Sequence, residues 1–195
     1  MQHYFNPMSR AASTDWTLKE LDVDHEQVFI DIQAGDAEKP EFRAINPMGK
    51  IPVLVDDGLV VTETAAIYAY LADKFIDRGL APALSSPERG KYYRYMFFSG
   101  TTLETAFAVE QMGIKDYPAQ SMGWGDLERC LNTLEVIVPK DGWVLGEQFS
   151  AADVVFGGIL DFAIQFGWLA PPSQLVADYV GRIRERPAYR ASHGL

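Results

Sequence analysis

A proline heads a buried strand in the stretch "NPMGKIPVLVDDGLVVTET", and a helix begins soon after it at Glu63-Thr64. Pro52 cannot donate to a strand ladder, so it belongs at a strand start, an edge or a turn. Only X–Pro bonds adopt cis at tolerable cost, about 0.5–1 kcal/mol over trans. A cis Ile51–Pro52 bond would bend the chain and expose the backbone N–H and C=O of Ile51 to an extended peptide, which could pair there as an added strand. Thr64 would present a hydroxyl and backbone N–H groups at a helix N-terminus, a carboxylate site. Glu63 beside it suits an ammonium group. A ligand with a free α-amino group and α-carboxylate, continuing as an extended peptide, satisfies both places. The same residues also fit a plainer arrangement, with a trans proline opening an edge strand, Thr64 as an N-cap and Glu63 as a favourable first-turn charge.

The elements around these residues follow from pattern. "QHYFNP" is strand-like and stops at Asn6-Pro7. A helix follows with Ala12, Trp16, Leu18 and Leu21 as its apolar face, then a short strand at "HEQVFIDI". "QAGDAEKPEFRAINPMG" reads as a loop with one helical turn near Pro40–Ile45. Two strands joined at Asp57-Gly58 form a hairpin. From Glu63 a helix runs with Ala66, Ile67, Tyr70 and Leu71 at helical spacing. The order is β-α-β-α-β-β-α, an α/β unit over residues 1–77. Residues 78–86 are glycine-, proline- and serine-rich and read as a linker; residues 87–195 show helical pattern only.

Bulk properties narrow the function. The chain has 195 residues, 17 basic and 27 acidic, for a net charge of −10. That argues against a nucleic-acid or anionic-membrane binder, since phosphate binding runs on a surplus of Lys and Arg. No window is apolar enough to span a bilayer, and "MQHYFNPMSR" lacks the features of a signal peptide. A single cysteine, Cys130, excludes an intrachain disulfide and a Cys-rich zinc site. His3, His25 and His193 show no metal-ligand spacing, so packing or surface roles and no metal are expected. A cytoplasmic location is the expectation.

"NPMGKIPVLVDDGLVVTETAAIYAYLADKF" resembles the glutathione-binding half of the cytosolic glutathione S-transferases, in particular bacterial-type, theta-like serine members. "GWVLGEQFSAADVVFGGIL" resembles that family's capping-box segment, with Ser150 at a helix start and Asp153 three residues on. "YVGRIRERPAYRAS" resembles its C-terminal helices, so the resemblance spans nearly the whole chain. It implies a thioredoxin-like N-terminal domain, an all-α C-terminal domain, glutathione as co-substrate and a homodimer.

Residue by residue, the resemblance implies glutathione contacts at Lys50, Ile51, Pro52, Glu63 and Thr64. Ile51 would use its backbone against the cysteinyl portion, and Lys50 would face the glycyl end. Where many relatives carry a histidine for the glycyl carboxylate, this chain offers Ala37, Glu38 and Lys39, with Lys39 as the substitute. Ser9, just before the first helix, matches the activating serine, with Ser13 as backup; Arg10 stands where cysteine-using bacterial relatives keep their cysteine. The electrophile is expected between the domains, over the first C-terminal helix, where Tyr93, Phe97, Thr101, Glu104 and Phe107 fall near one helical face. An aromatic stripe at this spacing equally suits a core. The chain stops soon after its last helix, so an open site without a long lid is expected. The expected activity is conjugation of glutathione to small hydrophobic electrophiles. A glutathione peroxidase, isomerase or dehalogenase on the same scaffold, and a non-catalytic binding module, are the alternatives.

Overall fold

Successive side chains of a strand point to opposite faces, and in β1 (Gln2–Phe5) this sends His3 and Tyr4 apart. The computed structural model describes all 195 residues. In it β1 pairs in parallel with β2 (Glu26–Phe29) and antiparallel with β3 (Val53–Asp56). The antiparallel β4 (Leu59–Val61) completes a sheet of order β2-β1-β3-β4. A parallel pair needs a long crossover, which α1 (Ala11–Glu20) supplies. The β3–β4 pair needs only Asp57 and Gly58, whose φ values of 49° and 83° are those of a type I′ turn. With α2 (Pro40–Ile45) before β3 and α3 (Thr64–Lys74) after β4, the order is the one the sequence predicts.

Burial follows the helical spacing with one rotation. Ala12, Trp16, Leu18 and Leu21 are all buried, as expected for α1. In α3, Ile67 and Leu71 are buried, but Tyr68 and Ala72 take the places expected of Tyr70 and Ala66. Tyr70 instead donates to Asp56 Oδ2 at 2.6 Å, and Lys74 pairs with the same carboxylate. On the other side of the sheet Ile30, Phe42 and Val53 form a small core against which Tyr4, Ile45 and Ile51 pack.

The chain divides into two units, Met1–Arg78 with Arg186–Leu195, and Gly79–Glu185. Sequence pattern puts 87–195 in one helical domain, whereas the last ten residues pack with the N-terminal unit. The reason is chemical. Arg186 donates to both oxygens of Glu20 at 2.6 and 2.7 Å, and Tyr189 of α9 (Pro187–His193) meets the Trp16 ring edge-on at 5.2 Å. Helix α9 thereby covers α1.

The second unit holds α4 (Glu88–Phe97), α5 (Glu104–Gln111), α6 (Leu127–Ile137), α7 (Ala151–Gln165) and α8 (Gln174–Arg184). Helix α7 is apolar on nearly every side and is buried, as a central helix must be. Gly157 lets α8 approach it: a Cβ there would stand 1.7 Å from Ile183 Cδ1. At the start of α7, Asp153 closes the capping box and does more. Its carboxylate accepts from the Ser150 N–H and hydroxyl at 2.9 Å each, from Val144 N–H at 2.8 Å and from the Tyr179 hydroxyl at 2.9 Å. One buried group thus ties the preceding loop, α7 and α8 together.

Burial pushes the Asp153 carboxyl from its ordinary 3.8 up to about 6, against the pull of those four donors. An acid with a raised native pKa binds its proton more tightly in the folded state, so its contribution to stability is greatest below about pH 4 and falls as pH rises toward 6. Asp153→Ala leaves buried donors unpaired and should cost roughly 3 kcal/mol at pH 7. Equilibrium unfolding of both proteins should show that gap, and a wider one at pH 4.5. A gap that narrows on acidification would contradict the assignment.

Candidate active site

The sheet's register decides which loops meet. Tyr4 of β1 pairs with Val53, the first residue of β3, so the turn after β1 and the residues entering β3 lie at the same end of the sheet. Leu54 pairs with Val61, the last residue of β4, so Thr62, Glu63 and Thr64 leave the sheet at that end too. Parallel β2 ends there beside Phe5. Ser9, Arg10, Lys50, Ile51, Pro52, Glu63 and the α3 start at Thr64 therefore lie at one end of the sheet, while Lys39 stands before α2, ten residues beyond β2.

Two matching turns shape that edge, and the sequence reading does not single out their asparagines. The tripeptide Asn-Pro-Met occurs at 6–8 and again at 46–48. In each copy the asparagine Oδ1 accepts the methionine N–H, at 2.9 Å from Met8 and 3.1 Å from Met48. In each the Nδ2 donates to a carbonyl, that of Ile30 at 2.8 Å and of Lys50 at 2.7 Å. Such Asx turns fix a loop by side chain where no ladder is available. The second turn also relies on Gly49, with φ +63° and a Cβ position 2.8 Å from both Ala37 O and the Arg43 guanidinium. It leads into Ile51–Pro52, whose peptide bond is cis. Pro52 is buried, Ile51 half-buried and Lys50 exposed.

The two helix starts at this edge differ. Ser9 closes the start of α1: its Oγ accepts Ala11 N–H at 3.1 Å, its carbonyl accepts Ala12 N–H at 3.2 Å, and its hydroxyl donates to Asn6 O at 2.8 Å. Ser13, half-buried in α1, accepts the Thr17 hydroxyl on its carbonyl. At α3 no side chain caps the N-terminus. The first intrahelical bond there runs from Ile67 N–H to Glu63 O, leaving the preceding N–H groups facing outward. Glu63 is exposed and held at φ 69°, a left-handed value that a residue with a Cβ rarely adopts and that costs on the order of 1–3 kcal/mol.

Other expected residues fare differently. Lys39 is exposed and its ammonium lies 2.6 Å from Asp36, so its charge is already engaged. In the helical unit, residues Phe98–Leu103 form a π-helical stretch between α4 and α5. Ser99 and Thr101 turn their hydroxyls back onto the carbonyls of Tyr95 and Phe97, at 2.6 and 2.7 Å, a contact that bends helices. The wider turn breaks the single face expected from regular spacing. Tyr93, Phe97 and Thr101 are exposed, Glu104 is half-buried and Phe107 is 1% exposed, so Phe107 belongs to the core rather than to a pocket wall.

With this geometry in hand, comparison with known proteins gives a consistent result. The family model described as the glutathione S-transferase N-terminal domain matches residues 1–73, and that of the C-terminal domain matches residues 90–190. Glutathione S-transferase GstA of Escherichia coli O157:H7 is 27% identical over 191 residues, covering 96% of this chain and 94% of its own length. Glutathione S-transferase 2 of Schizosaccharomyces pombe is 31% identical over 150 residues, 71% of this chain and 64% of the relative. Among solved structures, a sphingomonad glutathione S-transferase complexed with glutathione superposes with a TM-score of 0.80 at 26% identity, over 100% of this chain and 98% of that one. No helix here is long and apolar enough to cross a membrane.

The one thiol of the chain lies in the helical unit. Cys130 is buried in α6, its Sγ 3.5 Å from Trp124 O, and burial pushes its pKa from 9.0 up to about 11. At pH 8 its labelling by an aromatic disulfide should be about a hundredfold slower in the folded protein than in denaturant, because only thiolate reacts. Rapid stoichiometric labelling of the native chain would overturn this.

Proposed function

Since the chain belongs to the glutathione S-transferase family, we propose that it is a cytoplasmic, homodimeric transferase joining the sulfur of glutathione to small hydrophobic electrophiles. The observation that carries the reading is the uncapped start of α3, with Glu63 at its lip, at the same sheet edge as the Ile51 backbone. Glutathione has groups for each part. Its γ-glutamyl carboxylate accepts from the N–H groups of the α3 start and the Thr64 hydroxyl, where the helix dipole favours an anion. Its α-ammonium meets Glu63. The cysteinyl peptide unit pairs with the Ile51 backbone as an added strand, and Lys50, with Lys39 once it leaves Asp36, faces the glycyl carboxylate. Tyr93, Phe97, Thr101 and Glu104 remain the candidate contacts for the electrophile.

Ser9 then activates the thiol. A free thiol ionises near ~8.5, and moving it to ~6.5 takes about 2.7 kcal/mol in favour of the anion. The Ser9 hydroxyl hydrogen can swing from Asn6 O toward the sulfur while Oγ stays in place on Ala11 N–H. Arg10 and the α1 N-terminus add positive potential. The proton leaves to solvent, and the thiolate attacks the electrophilic carbon, forming the carbon–sulfur bond as the bond to that carbon's leaving group breaks, which for a chloro-nitroaromatic releases chloride.

Ser9→Ala separates this role from capping. Removing the cap should cost on the order of 1 kcal/mol of stability in any case. If the hydroxyl also serves the thiolate, turnover of a chloro-nitroaromatic at neutral pH should fall tenfold or more, with little change in KM for glutathione. The pH–rate profile should shift alkaline and partly recover at high pH. An unchanged thiol pKa with only the stability loss would return Ser9 to a capping role. Turnover of a hydroperoxide in place of the chloro-nitroaromatic would favour a peroxidase.

A further inference from the structure

On the face of the sheet covered by α1, two histidines and an aspartate converge that take no part in the reading above. His3 of β1 is fully buried and neither ring nitrogen has a hydrogen-bond partner. His25, entering β2, places its ring 5.8 Å from that of His3. Its Nδ1 is 2.9 Å from Val23 O, which fixes Nδ1 as the protonated nitrogen of the neutral ring and turns the Nε2 lone pair inward. Nε2 stands 3.5 Å from Asp15 Oδ1 of α1 without making a directed hydrogen bond. One ligand atom from each of His3, Asp15 and His25 lies within 4.8 Å of the others.

We propose that His3, Asp15 and His25 form a binding site for a divalent transition metal ion, of the zinc type, that clamps β1, α1 and β2 together.

The donor set of two imidazoles and one carboxylate is that of zinc and its neighbours. Two ligands on one such ion sit roughly 3.3 Å apart at bond lengths near 2.0–2.2 Å; Asp15 and His25 nearly meet this at 3.5 Å, and the ligand atoms of all three residues lie within 4.8 Å of one another. Gln27 Nε2 donates at 2.7 Å to Asp15 Oδ1, the oxygen that faces His25, and the Val23 carbonyl orients His25, the outer contacts that metal ligands ordinarily show. An ion would satisfy His3, which otherwise leaves buried polar atoms unmet. His25 lines an open groove of about 700 Å³ together with Lys19, Glu20, Asp22 and Asp24, while its Nε2 is itself buried. A water molecule would complete a four-coordinate site. The competing arrangement is a protonated His25 paired with Asp15, with Lys19 at 3.1 Å as a second cation. Lys19 must swing into the groove for the metal to bind, and its one-third exposure permits this.

The test uses the full-length, untagged protein, stripped with a chelator and free of glutathione, which itself binds zinc. Titration with zinc should give one site per chain and raise Tm, and cobalt(II) should give visible bands of a tetrahedral site. His25→Gln, at the groove and half-buried, should fold and lose at least tenfold in zinc affinity together with the cobalt bands; His3→Gln should do the same where it folds. Wild-type protein that takes up no zinc, or His25→Gln that keeps full affinity, overturns the site. Either result leaves glutathione turnover, which uses the other edge of the sheet, as a separate question.

Discussion

Strand β1 is bonded to a parallel neighbour on one side and an antiparallel neighbour on the other, and the function-bearing geometry depends on that asymmetry. A parallel partner returns the chain to the start of β2, so β1 and β2 both end at the same edge. An antiparallel partner makes β3 begin at that edge, and the short hairpin brings β4 back to it. Four loops from distant parts of the sequence therefore meet without any of them being long. Backbone groups beyond the strand ends have no ladder partner, and the chain treats them selectively. Asn6, Asn46 and Ser9 satisfy the turns and the start of α1, while α3 is left without a side-chain cap. Rigid loops around one open helix start are what a peptide with a free terminus requires.

The same asymmetry explains what the sequence reveals and what it hides. The order of elements is legible because each is signalled locally: Asp57-Gly58 for the hairpin, a proline at Pro52 for the strand start, regular apolar spacing in α1. Pro52, Glu63 and Thr64 are legible because they lie within one short stretch. His3 and His25 are twenty-two positions apart, and spacing along a chain carries no ligand signal when the contact is made across a parallel strand pair. The π-helical stretch is hidden for another reason. Residues 98–103 are Phe-Ser-Gly-Thr-Thr-Leu, whose glycine, serine and threonines weaken a regular helix without specifying a π turn, and the hydroxyl contacts of Ser99 and Thr101 accompany the widened turn that leaves Phe107 in the core. The docking of α9 is equally non-local, since Glu20 and Arg186 are 166 residues apart.

Charge is distributed with the same economy. The chain carries −10 overall, and around the candidate site cations stand among acids: Lys39 pairs with Asp36 and Arg43 with Glu38. Elsewhere acids are tied to structural duties: Asp56 to Tyr70 and Lys74, Asp153 to four donors, Asp161 to Arg184 at 2.6 Å. Screening limits an exposed charge to a range of about 8–10 Å.

Glu63 concentrates the trade between stability and function in one residue. A glycine would adopt its backbone angles without strain, and an ordinary N-cap such as serine would satisfy the bare N–H groups of α3. The chain has neither. It accepts a left-handed Glu63 and an uncapped helix, each a local loss of stability, at the one place where an ammonium and a carboxylate on adjacent atoms would find an acid and a helix dipole side by side. The deficit is carried by the surrounding fold, whose sheet register and buried α3 face at Ile67 and Leu71 fix the helix start independently of any cap. A ligand that filled both places would relieve the helix start of its unmet donors.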